Sequence, residues 1–156
     1  EASTRTMIKR LRELDLINID KVAGILITER GKEILHHLYT KVKIIENIEL
    51  SSLNWKSQGI IIRHGKQILD KLGLLNLRDL IIKQGANHTI IAVVNEERKI
   101  ELPPKTFDES EEIKKLKEEI KEKIGNNTQI NDLIVIFDPP DLHLTYKITL
   151  AILSNG

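Results

Sequence analysis

The chain has 156 residues, enough for one domain or two small ones, and it contains no cysteine. Disulfides, cysteine-ligated zinc sites and cysteine nucleophiles are therefore excluded, and we expect a cytoplasmic protein. Aromatic residues make up only 3% of the chain, which argues against a surface for stacking unpaired bases. Because the net charge is only +1, any nucleic-acid-binding surface must be local rather than general.

The apolar runs are much shorter than the ~20 residues of a membrane-spanning helix, so no membrane association is expected. Frequent Ile, Lys and Glu with a single methionine are typical of thermophilic proteins. The sequence starts without a methionine, inside what resembles a motif. We therefore expect it to be a piece of a longer protein.

The first predicted element is an amphipathic helix from Ser3 to Leu14. At ~100° per residue, its apolar side chains fall on one side and its basic side chains on the other. Residues 1–12 hold four basic side chains against one acidic one, an excess of three positive charges. Such a localised basic face is what binding to phosphates requires.

A short hairpin and a second helix are predicted next. Leu16 to Ile19 and Ile25 to Ile27 read as two strands, joined by a turn from Asp20 to Gly24. Thr28 is a suitable N-cap for a helix that runs from Glu29 towards Ile45. The pattern up to this point is helix, strand, tight turn, strand, helix.

The remaining chain predicts a separate domain. Residues 47–58 lose their periodicity and contain three serines, so we place a linker there. Residues 59–156 alternate between strand and helix patterns in the order β-α-β-β-α-β-α. The expected fold class is mixed α+β or α/β, with residues 1–46 as a partial helix-turn-helix domain and 59–156 as a small α/β domain.

The first segment resembles archaeal winged-helix transcriptional regulators. The resemblance is carried by "LRELDLI", which begins at Leu11, and by "LITERGKEIL", which begins at Leu26. It implies a recognition helix, a wing hairpin and a following helix, with the two preceding helices lying before Glu1. It also implies a homodimer that binds double-stranded DNA. The DNA contacts carried over by position are Ser3, Arg5, Thr6, Lys9 and Arg10 on the helix and Lys21 on the wing.

The second segment resembles the C-terminal domain of unknown function found in such regulators. The residues that carry this resemblance are Arg63, Arg78-Asp79, Gly85-Ala86, Leu102-Pro103-Pro104 and the strand from Asp132 to Phe137. Arg63 ends a predicted strand and Asp138 follows another, and α/β sheets commonly place ligand sites at such strand ends, so we expect a small anionic effector there. The alternatives are internal ion pairs, Arg63 with Asp79 or Arg78 with Asp138, or plain surface charge. The candidate ligand-binding residues are Arg63, Arg78, Asp79 and Asp138.

Enzyme motifs are missing from the sequence. It has no G-x-G-x-x-G, no P-loop and no G-x-S-x-G, and the five histidines have no metal-binding spacing. We therefore expect a regulator with a ligand-sensing or dimerisation domain and not an enzyme, with no cofactor, metal or catalytic residue. The alternative is a metabolite-binding protein or enzyme whose winged helix serves protein contacts.

Overall fold

The computed structural model describes residues 2–104 and 108–156. These residues form six α-helices, one short 3-10 helix and seven β-strands. The chain divides into two compact units, one ending at Thr40 and the other beginning at Lys41. Both units combine helices with strands, which confirms the mixed α and β character predicted above. No helix in the described part of the chain has both the length and the apolar character to cross a bilayer.

The first unit has the predicted order of elements. It consists of α1 (Ala2–Glu13), β1 (Ile17–Asp20), β2 (Gly24–Ile27) and α2 (Glu29–Lys41). β1 and β2 form an antiparallel hairpin in which Ile17 lies opposite Ile27. The predicted second helix was too long, because it ends at Lys41 and not near Ile45.

The second unit is built on a five-stranded sheet. Its elements are β3 (Val42–Leu50), β4 (Trp55–Ile62), α3 (Lys66–Leu72), α4 (Leu74–Lys83), β5 (His88–Val94), β6 (Ile100–Glu101), α5 (Glu111–Ile124), β7 (Leu133–Asp138) and α6 (Leu142–Asn155). The strand order is β3-β4-β7-β5-β6. Every neighbouring pair is antiparallel.

The segment 47–58, which was predicted to be a linker, is part of this sheet. It contains the end of β3, a turn and the start of β4. The prediction failed because β3 does not alternate regularly between apolar and polar residues. Its register shifts between Ile45 and Ile48, and Asn47 between them has a positive φ of 55°. A bulge of this kind disturbs the two-residue period by which strands are recognised.

The sheet lies between two layers of helices. On one face, α3, α4 and α6 enclose an apolar cluster that includes Leu77, Ile81 and Phe137. On the other face, α5 covers a second cluster that includes Ile120 and Ile134. Alternate residues of β7 enter the two clusters, which explains why this strand is apolar along its length.

The predicted order β-α-β-β-α-β-α becomes β-β-α-α-β-β-α-β-α. The two added elements are β3 and α3. The antiparallel arrangement also affects where a site can form, because the carboxyl ends of neighbouring strands point to opposite ends of the sheet. The expectation that ligand residues gather at the carboxyl ends of strands holds for parallel sheets and does not apply here.

Candidate nucleic-acid interface

The basic face of α1 is exposed. Ser3, Arg5, Thr6 and Lys9 are solvent-exposed, and Arg10 is half-buried. At ~100° per residue these five predicted DNA-binding residues cover an arc of roughly 160°. The structure therefore brings the helical part of the predicted site together on one surface.

The opposite, apolar side of α1 is only partly buried. Met7, Ile8, Leu11 and Leu14 are half-buried, and no described residue of α1 is fully buried. Lys9 approaches Glu13 at 3.9 Å, with both side chains more than 60% exposed. Such an exposed pair is weak and screened by salt, so it leaves Lys9 able to interact with a phosphate.

The hairpin tip is held by Asp20. Its carboxylate accepts hydrogen bonds from the backbone N–H of Ala23 at 2.7 Å and of Val22 at 2.8 Å. These two bonds, with that from Ala23 the stronger, lower the pKa of Asp20 below its ordinary value. Gly24 follows with a φ of 83°, a conformation that favours glycine. The turn is thus fixed locally, and Lys21 at its tip is exposed.

Thr28 joins the hairpin to the end of α1. Its hydroxyl donates to the carbonyl of Asp15 at 2.7 Å and accepts from the N–H of Gly31 at 2.9 Å. Its N–H donates to the carbonyl of Leu16 at 3.0 Å. Thr28 is therefore the N-cap of α2, as predicted, and also a link between α2 and the turn after α1.

Gly31 permits this close approach. A Cβ placed there would lie 2.2 Å from the carbonyl oxygen of Leu16 and 2.7 Å from Cγ1 of Ile27. A larger residue would therefore force α2 away from the chain that leaves α1. The glycine in "TERG" reflects this packing constraint, which sequence reasoning did not identify.

Taken together, the first unit presents a basic helix face and a basic hairpin tip on a locally fixed frame. Arg and Lys side chains neutralise phosphates, and an Arg can also donate two hydrogen bonds to guanine. The chemistry suits binding to a polyanion.

The four predicted ligand residues of the second unit are not gathered at one place. Arg63 follows β4 and forms an ion pair with the buried carboxylate of Asp132, which precedes β7. Asp132 also accepts from the N–H of Gln129 at 2.7 Å. The pair therefore accounts for Arg63 without a ligand, and its partner is not the one that we expected.

Asp138 lies at the opposite end of the strands from Arg63. Ile62, beside Arg63, pairs with Leu133, whereas Asp138 ends β7 five residues later. At ~3.3 Å per residue, this separates the two ends by roughly 17 Å. Arg78 and Asp79 lie on the exposed surface of α4, with Nε and Oδ1 3.9 Å apart.

Sequence reasoning missed a cluster at the end of β7. Asp138 oxygens lie 3.1 and 3.2 Å from Nδ1 of His88, and the N–H of His88 donates to Oδ1 at 2.8 Å. The His88 ring stacks on Trp55 with centroids 5.2 Å apart. The sequence hid this cluster because its members are 33 and 50 residues apart. The register of β5 with β7, which places His88 opposite Asp138, is what brings the two side chains together.

An open groove of about 530 Å³ lies beside this cluster. Its lining includes Trp55, Lys56, Asp138 and Glu49. Two carboxylates face one ammonium group there, so the charge of the groove does not favour a small anion. The anionic effector stays a prediction that no contact in this groove supports.

Comparison with known proteins identifies the second unit. Residues 53–155 match the family described as "Domain of unknown function (DUF4443)". The chain belongs to the DUF4443 family. The match covers well over half of the chain and begins in the turn between β3 and β4, so the DUF4443 region contains the α3, α4 and α6 layer as well as α5.

A search of curated proteins finds no match. Among solved structures, the chain is similar to a hypothetical protein from Pyrococcus horikoshii OT3, with 20% sequence identity and a TM-score of 0.48. The similarity covers 99% of this chain and 74% of that one.

Proposed function

We propose that this protein is a DNA-binding transcriptional regulator. In this proposal the first unit acts as part of a winged helix domain, and the DUF4443 domain serves dimerisation or sensing. The observation that carries the proposal is the exposed basic face of α1, followed directly by a hairpin with exposed Lys21 at its tip. Helix, hairpin and helix in this order are the elements that a winged helix uses to bind duplex DNA.

The roles of the side chains follow from their positions on α1. A recognition helix contacts base edges mainly through its N-terminal part, which here holds Ser3, Arg5 and Thr6. Lys9 and Arg10 lie one turn further and are placed to neutralise phosphates. Lys21 reaches the backbone from the hairpin, because a wing lies alongside the groove.

Binding to duplex DNA at several salt concentrations tests this proposal. Affinity should fall steeply as salt rises, because phosphate contacts release counterions. Lys9→Ala should lower affinity and reduce the slope of log affinity against log salt by about 1. Arg5→Ala should lower affinity and, where Arg5 contacts a base, weaken discrimination by about 1–3 kcal/mol.

A matched control comes from the other unit. Lys115→Ala removes an exposed positive charge from α5, far along the sequence from α1. It should leave the affinity and the salt slope unchanged. If Arg5→Ala and Lys9→Ala behave like Lys115→Ala, α1 is not the recognition helix. If the protein shows no salt-dependent duplex binding, the proposed function is wrong.

A further inference from the structure

The outer face of α4 combines apolar and charged side chains at helical spacing. Leu75, Arg78, Asp79 and Ile82 follow one another at i, i+3, i+4 and i+7, so they share one face. All four are exposed, and Leu75 is 64% exposed. The inner face of α4 is occupied, since Leu77 and Ile81 are fully buried against the sheet.

This outer face is complementary to itself. Its order along the helix is apolar, positive, negative, apolar, so a second copy running in the opposite direction presents the matching order. In such an antiparallel pair, a two-fold axis between Arg78 and Asp79 places Arg78 opposite the partner's Asp79. The same axis places Leu75 opposite the partner's Ile82. Two-fold interfaces require this kind of self-complementarity, because the same surface contributes both sides.

We propose that the outer face of α4, defined by Leu75, Arg78, Asp79 and Ile82, is the interface through which two copies of this chain dimerise. The occupant is a second copy because both the charges and the apolar positions match under a single two-fold rotation. The inference deepens the proposed function, in which the DUF4443 domain serves dimerisation or sensing, because it says which surface forms the dimer. It concerns the DUF4443 domain alone and requires no DNA.

The charges on this face are available for pairing between copies. Arg78 and Asp79 contact each other only at 3.9 Å, and their side chains are 55% and 74% exposed. An exposed contact of this length stabilises little within one chain. In a dimer, each guanidinium can instead meet the carboxylate of the other copy, flanked on both sides by apolar contacts that exclude water.

Further exposed apolar surface lies in the same layer of helices. On α6, Leu142 is 44% exposed and Tyr146 is 41% exposed, and they are separated by one turn. α6 packs against the same apolar cluster as α4. These side chains extend the surface that a second copy can cover. Because the interface centres on about two turns of one helix, we expect a dissociation constant in the micromolar range rather than an obligate dimer.

Sedimentation equilibrium of the full chain without DNA tests the interface by charge exchange. Arg78→Asp places four carboxylates around the axis, and Asp79→Arg places four guanidinium groups there. Each single variant should raise the dissociation constant at least tenfold, because like charges then face one another. The double variant Arg78→Asp/Asp79→Arg restores opposite charges and should return to within about threefold of the unchanged protein.

Three outcomes would overturn the interface. They are an unchanged protein that stays monomeric up to about 500 μM, single variants that dimerise as well as it does, and a double variant as weak as the single ones. All four positions are exposed, so circular dichroism and the fluorescence of Trp55 should remain as in the unchanged protein. Because no DNA is present, failure here leaves the proposed DNA binding untouched.

Cysteine cross-linking tests the antiparallel register. The protein has no cysteine, so Leu75→Cys and Ile82→Cys each introduce a single thiol. Mixing the two variants under oxidising conditions should give a disulfide-linked dimer. Either variant alone should give little, because identical positions lie about 10 Å apart along the helix axis, too far for a disulfide. Equal cross-linking in all three samples, or none in the mixture, would contradict the register. Leu53→Cys, in the turn after β3, serves as the control thiol.

Discussion

The two units bury their aliphatic side chains to very different extents. In the second unit, Leu133 to Phe137 of β7 are completely buried between two layers of helices. In the first unit, all four residues of β2 are exposed, and Ile25 is 54% exposed. Among its described residues, Leu16 and Ile34 are the large apolar side chains that are buried. Burial of apolar area is the main stabilising contribution, so we expect stability to be concentrated in the second unit.

The single tryptophan separates the two units in experiments. Trp55 belongs to the second unit, so its fluorescence follows the unfolding of that unit. Far-ultraviolet circular dichroism follows the helices of both units. A first transition seen by circular dichroism alone would therefore belong to the first unit, and coincident transitions would show that the units unfold together.

The largest effect is expected from Phe137→Ala. Phe137 is fully buried in the cluster under α4 and α6, so truncation leaves a cavity in the centre of the second unit. We expect the free energy of unfolding of this unit to fall by about 3–5 kcal/mol, measured by Trp55 fluorescence in denaturant. Ile19→Ala, at a position that is 51% exposed in the first unit, is the control and should change this transition little. Equal losses from the two variants would remove the contrast between the units.

Gly31→Ala tests the same contrast by a substitution in the first unit. In an ordinary helix this substitution stabilises, by up to about 1 kcal/mol. Here the added Cβ would collide with the carbonyl oxygen of Leu16, so we expect a loss of about 1–3 kcal/mol. The loss should appear in the circular dichroism of the first unit and not in the Trp55 transition. Lys32→Ala, at the next and exposed position, is the control, and a stabilised Gly31→Ala variant would show that α2 does not pack as described.

The smallest expected effect concerns the contact between α5 and the turn after β3. The carboxylate of Glu119 accepts from the hydroxyls of Ser51 and Ser52, both at 2.5 Å. These bonds, led by that from Ser51, lower the pKa of Glu119 below its ordinary value of 4.5. The unfolded chain therefore binds this proton more readily than the folded one. The contribution to stability is complete above pH 4.5 and is lost as the pH falls through the lowered folded pKa.

Glu119→Gln should therefore reduce the acid sensitivity of the second unit. The comparison is the midpoint of Trp55-detected unfolding at neutral pH and at about pH 3, where an ordinary carboxyl is mostly protonated. The unchanged protein should lose more stability between these two conditions than the variant. Glu118→Gln, at the exposed neighbouring position, should retain the pH dependence of the unchanged protein. Identical pH dependence in all three would show that the Ser51 and Ser52 contacts contribute nothing measurable.

Local patterns predicted the first unit well. The amphipathic period of α1, the Asp-to-Gly turn and the Thr28 cap each depend on residues within a few positions of one another, and all three are observed. Helix α5 behaves in the same way, since Ser110 accepts from the N–H of Ile113 as its N-cap. Interactions over such short separations are encoded directly by the order of residues.

Strand β3 and the partners of the charged residues could not be predicted in this way. The bulge at Asn47 disrupted the period that identifies a strand. Arg63 was expected to pair with Asp79 or to hold a ligand, but it pairs with Asp132, 69 positions away. Asp138 was likewise expected to pair with Arg78 or to hold a ligand, but it contacts His88, 50 positions away. Several charged partners were compatible with the sequence, and only strand order selected among them.

Apart from β3 and α3, the sequence by itself determined the types of the elements, together with the apolar sides of α1 and α5 and the basic surface of α1. These features depend on periodicity and on neighbours along the chain. The tertiary structure decided that the sheet is antiparallel, and it thereby separated Arg63 from Asp138 and brought Trp55, His88 and Asp138 together. It also left Leu75, Arg78, Asp79 and Ile82 on the outside of the helix layer. The physical reason is that strand pairing joins distant residues through backbone hydrogen bonds, which are common to all sequences. The side chains that meet are then fixed by register, and no local pattern records that register.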